Sequence, residues 1–118
     1  LDAGDILFVD SSHVAMPGTD VDRIVLDVLP RLKPGVIVHI HDILLPDPYP
    51  PEWEWRGYNE QTVAGALLMG GGFEIVFASH WAATRMAERV NAGPAGRIPL
   101  VAGALETSLW LRKTARAG

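Results

Sequence analysis

Two short apolar runs do most to constrain what this chain can fold into. Ile6-Leu7-Phe8-Val9 stops on Asp10-Ser11-Ser12-His13, and Val36-Ile37-Val38-His39-Ile40 stops on His41-Asp42. Unbroken β-branched and apolar runs of this length suit strands buried on both faces. A helix signal lies between them. Thr19-Asp20-Val21-Asp22 has the spacing of an N-cap with an acidic third residue. Val21, Ile24, Val25, Val28, Leu29 and Leu32 then lie on one face at a period near 3.6. Pro30 falls in the last turn, so the helix should tighten or end near Leu32. Lys33-Pro34-Gly35 turns the chain into the second strand. Strand, helix and strand predict a parallel βαβ unit, and ligands in open parallel sheets sit beyond the carboxyl ends of the strands. Asp10, His13, His41 and Asp42 are therefore expected on one rim.

The rest of the chain must pack against that unit. Residues 44–57 hold Pro46, Pro48, Pro50 and Pro51 with Tyr49, Trp53 and Trp55 among them. Proline at this density excludes a regular helix or central strand, while the aromatics argue for an ordered lid or wall over the rim. Asn59 is placed to cap a helix over Glu60–Met69 with Val63, Ala64, Leu67 and Leu68 inward, stopped by Gly70-Gly71-Gly72. Phe73–Ala78 is a third strand, residues 82–90 a short helix with Arg85 and Arg89 outward, and residues 91–103 a glycine- and proline-rich loop. In the last strand, residues 107–113, Leu109 and Leu111 oppose Ser108, Trp110 and Arg112. No crossover-length helix joins the third and last strands, which suggests an antiparallel pair.

Composition narrows the classes. The 118 residues include 48% hydrophobic and 20% charged, enough for one core and one domain over residues 1–118. A net charge of −4 with no basic cluster argues against nucleic acid as a partner. No apolar run approaches the roughly 18 residues of a membrane span and no signal peptide is evident, so a cytoplasmic location is expected. Without cysteine there is no disulfide, thiolate metal site or cysteine nucleophile. The chain begins at Leu1, close before a strand, as expected for a piece of a longer protein.

The order of elements, Asp10-Ser11-Ser12-His13, and the turn Leu29-Pro30-Arg31-Leu32-Lys33-Pro34-Gly35 into Val36-Ile37-Val38 together resemble the C-terminal half of a class I S-adenosylmethionine-dependent methyltransferase. The resemblance implies an α/β, Rossmann-like fold with parallel strands and an antiparallel last strand inserted beside the second strand seen here. It is nearest to small-molecule and sugar O-methyltransferases with an Asp-Gly-Ser-His segment, some of them metal-dependent. Carried over, it makes His13 the base on the acceptor hydroxyl and Asp10 and Asp42 ligands of a divalent ion. Ser11 replaces the glycine, and His41 stands where the first acid of a pair is expected. That histidine favours manganese, iron or zinc over magnesium, or no metal at all. The elements that hold the methyl donor in this fold would lie upstream of Leu1, so the fragment should bind S-adenosylmethionine poorly and should expose a sheet edge.

The candidate residues are thus His13 for catalysis, Asp10, Asp42 and His41 for a metal, and Tyr49, Trp53 and Trp55 for the acceptor. His39 lies below the rim and is expected to be a hydrogen-bonded core histidine; Trp81 and Trp110 are core or edge residues. His80 has no evident partner. The leading function is O-methylation of a small-molecule hydroxyl, with or without a divalent ion. Two alternatives stand beside it: an inactive methyltransferase-like scaffold or dimerisation module able to form a homo-oligomer, and a metal-dependent hydrolase suggested by His39-Ile40-His41-Asp42.

Overall fold

The computed structural model describes residues 1–115. Strands β1 (Ile6–Val9) and β2 (Ile37–Ile40) pair in parallel, with Ile6 opposite Ile37 and Val9 opposite Ile40. Strand β4 (Leu109–Lys113) inserts between β2 and β3 (Phe73–Ala78), antiparallel to both, so the sheet runs β1-β2-β4-β3. This is the mixed α/β sheet expected, with the last strand beside the second.

The connection between β1 and β2 is a helix, α1, over residues 20–31. Thr19 caps it by accepting from the Asp22 amide at 3.2 Å, and the Asp22 carboxylate accepts the Gly18 amide at 3.0 Å. Asp20–Arg23 and Leu29–Arg31 are α-helical, but Ile24–Val28 forms a π-helical turn, in which the Leu29 amide reaches back to the Ile24 carbonyl. Pro30 explains the widening. Its ring crowds the carbonyl four residues earlier and it offers no N–H, so the backbone loosens rather than tightens before the helix stops. The end point is as expected; the tightening is not. Gly35 then turns at φ 88°, and a Cβ there would stand 2.7 Å from Ala3 Cβ, so both backbone and space call for glycine.

Helices α1 and α2 (Glu60–Met69) cover one face of the sheet, closing a core of Val9, Leu29, Val38, Ile40, Ala64, Leu109 and Leu111. The other face is open at β1, where Ile6 and Phe8 are exposed. The expectation of burial on both faces fails there because, among the described residues, both helices α1 and α2 lie on the opposite face and none covers this one. His39 is buried on that open face, but not as a hydrogen-bonded histidine. Its ring stacks on Trp110 at 4.5 Å and takes the edge of Phe8 at 4.7 Å, and Nε2 has no hydrogen-bond partner among the described residues. Burial, and then the neighbouring His41, hold its pKa below the ordinary histidine value.

Beyond β3 the chain makes two short helices, α3 (Ser79–Arg85) and α4 (Ala87–Ala92), broken at Met86, instead of one helix over residues 82–90. Helix α3 starts early because its first residues are anchored: the Ser79 amide donates to Ser108 O, and Ser79 Oγ accepts the Ser108 amide. A 3₁₀ turn, Pro94–Arg97, breaks the expected loop. His80 does have a partner, Asp47, at 2.8 Å, and Arg85 turns inward to grip the same carboxylate at 2.5 and 2.7 Å. Arg85 first, and His80 second, hold the Asp47 carboxyl well below the usual range. Gln61 of α2 binds the Leu44 amide and the Asp47 carbonyl. The proline-rich segment is thereby fixed to α2 and α3, and its tip forms a 3₁₀ turn over Pro51–Arg56. Among the described residues no helix is long and apolar enough to cross a membrane.

Candidate active site

His13 is the centre of the rim. It is 3% exposed, and its backbone sits in the left-handed region at φ 59°. That unusual conformation has a local reason. It turns the His13 carbonyl toward the start of α2, where it accepts N–H bonds from Asn59 at 3.0 Å and Glu60 at 3.2 Å. The first amides of a helix lack intrahelical partners, and this carbonyl supplies one. The Asn59 side chain does not cap α2 as expected. Its amide group instead clasps the backbone of Ala15, accepting from the Ala15 N–H at 2.6 Å and donating to the Ala15 carbonyl at 3.2 Å.

Three carboxylates surround the His13 ring. Nε2 lies 3.2 Å from Asp10 and 3.5 Å from Asp42, while Nδ1 lies 3.3 Å from Glu60. The approach of Nδ1 to Glu60 is too poorly aligned for a hydrogen bond, and Nδ1 has none among the described residues. Asp42 is itself at φ 58°, where Asp is tolerated better than most residues, and its other oxygen stands 3.4 Å from His41 Nε2. The end of β1 supplies Asp10 and His13, and the end of β2 supplies His41 and Asp42, as the parallel pairing requires.

Sequence patterns missed two contributors. Glu60 opens α2 and is 4% exposed. It accepts the Ser11 hydroxyl, and burial raises its pKa despite that bond and the nearby His13. In the sequence it is one more acid in a helix's first turn, where acids are common for dipole reasons alone. Tyr58 lays its ring against His13 at 4.5 Å and meets Tyr49 at 5.6 Å and Trp53 at 6.0 Å. Tyr49 and Trp53 thus pack with Tyr58 beside the His13 ring. Trp55 is 82% exposed, and Arg56 lies over its ring at 5.6 Å. Burial pushes the Tyr49 phenol up, and its hydroxyl has no hydrogen-bond partner among the described residues.

The metal expectation meets a different arrangement. Among the described residues no three histidine or acidic side chains gather as a metal site. Asp10 and Asp42 both lean on His13 Nε2, and His39 is stacked below the rim. The described residues hold no glycine-rich turn from a strand into a helix; Gly70-Gly71-Gly72 leads from α2 into β3.

A family model described as a methyltransferase domain matches residues 1–43. That span covers β1, α1 and β2 and ends just past Asp42, so it includes Asp10, His13 and His41. The match supports a methyltransferase domain in general. No curated protein and no solved structure matches the chain.

Proposed function

We propose that this chain forms the acceptor side of an S-adenosylmethionine-dependent O-methyltransferase acting on a small-molecule hydroxyl, with His13 as the base. The observation that carries the proposal is the setting of His13: a buried imidazole at the carboxyl ends of two parallel strands, with its Nε2 edge toward the rim. A general base must reach its proton at about 2.6–3.2 Å in the bound complex. An acceptor hydroxyl lying between Asp10 and Asp42 would meet Nε2 at such a distance. Nε2 takes the proton as the oxygen becomes nucleophilic, and the two carboxylates partly compensate the positive charge that arrives on the ring. Glu60 faces the opposite nitrogen, and the Tyr49, Trp53 and Tyr58 rings form an apolar wall that excludes water and orients a sugar or ring face. The donor supplies an electrophilic methyl group; this chain supplies the oxygen and its placement. In this reading the donor-binding half lies upstream of Leu1 in the native polypeptide.

The test is His13→Ala in the intact native protein. Turnover with labelled adenosylmethionine should fall at least a hundredfold, while donor affinity by calorimetry stays near wild type. Loss of donor affinity would instead make His13 a binding or structural residue.

A second reading rests on a separate observation. Ile75, Val76, Phe77 and Trp81 are exposed along the β3 edge and α3, around an open apolar groove of about 740 Å³. Such a surface suits a scaffold that self-associates. Light scattering over a concentration series would show a dimer, and a monomer throughout would remove this reading.

A further inference from the structure

Arg56 closes the 3₁₀ turn at the tip of the proline-rich segment, and its guanidinium lies among three rings. The carbon Cζ is 4.2 Å from the Trp53 ring centroid, 5.5 Å from Tyr58 and 5.6 Å from Trp55. Tyr58 is the same ring that packs on His13 at 4.5 Å. A single aromatic layer therefore separates this cation from the candidate base.

Among the described residues Arg56, Arg89 and Arg97 hold no carboxylate, but Arg89 and Arg97 are exposed to solvent and Arg56 is not. Arg23, Arg31, Arg85 and Arg112 each hold a carboxylate within 3.2 Å. Arg56 is half-buried, yet among the described residues it forms no ion pair and no side-chain hydrogen bond, although Glu52 and Glu54 share its turn. Ring faces attract the guanidinium but do not accept its N–H bonds in the way an oxyanion does. Partly desolvating a cation without an anion is unfavourable unless a partner arrives. The rings hold the planar fork in place, so little side-chain freedom is lost when that partner binds.

We infer that the acceptor carries an anionic group, a carboxylate or a phosphate, which pairs with Arg56 while its ring body lies against Trp53 and Tyr58 and its reacting hydroxyl lies at His13. This rests on the methyltransferase reading above and narrows its acceptor to hydroxylated anions such as acidic or phosphorylated sugars. The site has two electrostatic ends. The acidic end, Asp10 and Asp42, receives a hydroxyl and repels an anion; the cationic end, Arg56, does the reverse. An acceptor with one group of each kind enters in a single orientation.

The experiment is a donor-free binding titration of the intact native protein with D-glucose, D-glucuronate, glucose 6-phosphate and glucosamine, followed by tryptophan fluorescence and calorimetry at low and moderate salt. At least one of the two anionic sugars should bind tenfold or more tightly than glucose, and salt should weaken that advantage. The tighter of the two identifies the group as carboxylate or phosphate. Arg56→Gln should reduce the advantage below about threefold. Arg56→Lys, which keeps the charge and loses the fork, should retain part of it. Equal affinity for glucose and both anions, no binding by any probe, or an advantage that survives in Arg56→Gln would overturn the inference. So would preferential binding of glucosamine, which would make the rings a cage for a cation that Arg56 itself fills. Circular dichroism checks that each variant is folded. No methyl donor is present, so failure here counts against the anion alone. Binding of the anion without turnover by the intact protein would sink the methyltransferase reading alone.

Discussion

Left-handed backbone at Asp42 gives a prediction whose sign is opposite to the usual one. Replacing a residue by glycine normally leaves a protein less stable than replacing it by alanine, because glycine has more unfolded conformations to lose, a difference of about 0.4–1 kcal/mol. At φ 58° the alanine Cβ meets the following carbonyl oxygen, at a cost of about 1–2 kcal/mol that glycine avoids. Both variants remove the carboxylate, so the lost approaches to His13 and His41 cancel between them. Asp42→Gly should then be more stable than Asp42→Ala by about 0.5–1 kcal/mol. With a urea m-value of about 1.5 kcal/mol/M, the midpoints should differ by about 0.3–0.7 M. The four tryptophans provide the fluorescence signal. A midpoint for Asp42→Ala equal to or above that of Asp42→Gly would refute the argument. The same comparison at His13, at φ 59°, should give the same order.

Glu60→Gln tests the cost of a buried acid. Because burial raises the folded-state pKa of Glu60, its contribution is most favourable below the unfolded value and is lost as pH rises through the folded one. Glutamine should remove that pH dependence above about pH 4.5 and leave the variant at least as stable as wild type at pH 7 by urea midpoints; parallel curves would argue against it. Asp47 has the opposite sign. Its pKa is lowered, chiefly by Arg85, so the pairing stabilises above the ordinary carboxylate range and is lost as pH falls through the folded value. The midpoint gap between wild type and Arg85→Ala should therefore narrow in acid, and a constant gap would contradict the pairing. Leu111 is buried between β2 and β3 at 1% exposure, so Leu111→Ala should destabilise by about 2–5 kcal/mol; a loss under 1 kcal/mol would mean the core collapses around the gap.

Much of the fold was legible because its signals are local or periodic. The apolar runs of β1 and β2, the Thr19 cap and the alternation of Leu109 and Leu111 each carry their own physics over a few residues. The placement of β4 between β2 and β3 came through resemblance, since no local pattern states which strands become neighbours. What stayed hidden was set by contacts far apart in sequence. Glu60 becomes a site residue only because α2 returns its N-terminus to the end of β1, 47 positions beyond His13. His80 acquires Asp47 across 33 positions, and Arg85 turns inward for the same carboxylate across 38. Spacing groups Trp55 with Trp53, but a 3₁₀ turn directs residues two apart to different sides, and Tyr58 takes the place expected for Trp55.

The loop that carries His13 is held from both helices of the buried face. From α1, the Asp20 carboxylate accepts the Ser12 amide at 2.8 Å and the Ser12 hydroxyl, and those two bonds lower the Asp20 pKa. From α2, Glu60 accepts the Ser11 hydroxyl and Asn59 clasps Ala15. A residue held in left-handed backbone persists only where its surroundings over-determine it, and here the restraints come from two elements whose relative position the core decides. Leu29 and Ala64 are the core members from α1 and α2, and both belong to the same core cluster as Val9, one residue before Asp10. The orientation of His13 is thus a consequence of helix packing as much as of its own loop. That is why Ser12 and Asn59, whose hydrogen bonds go to the loop and its backbone, belong to the apparatus that positions the imidazole.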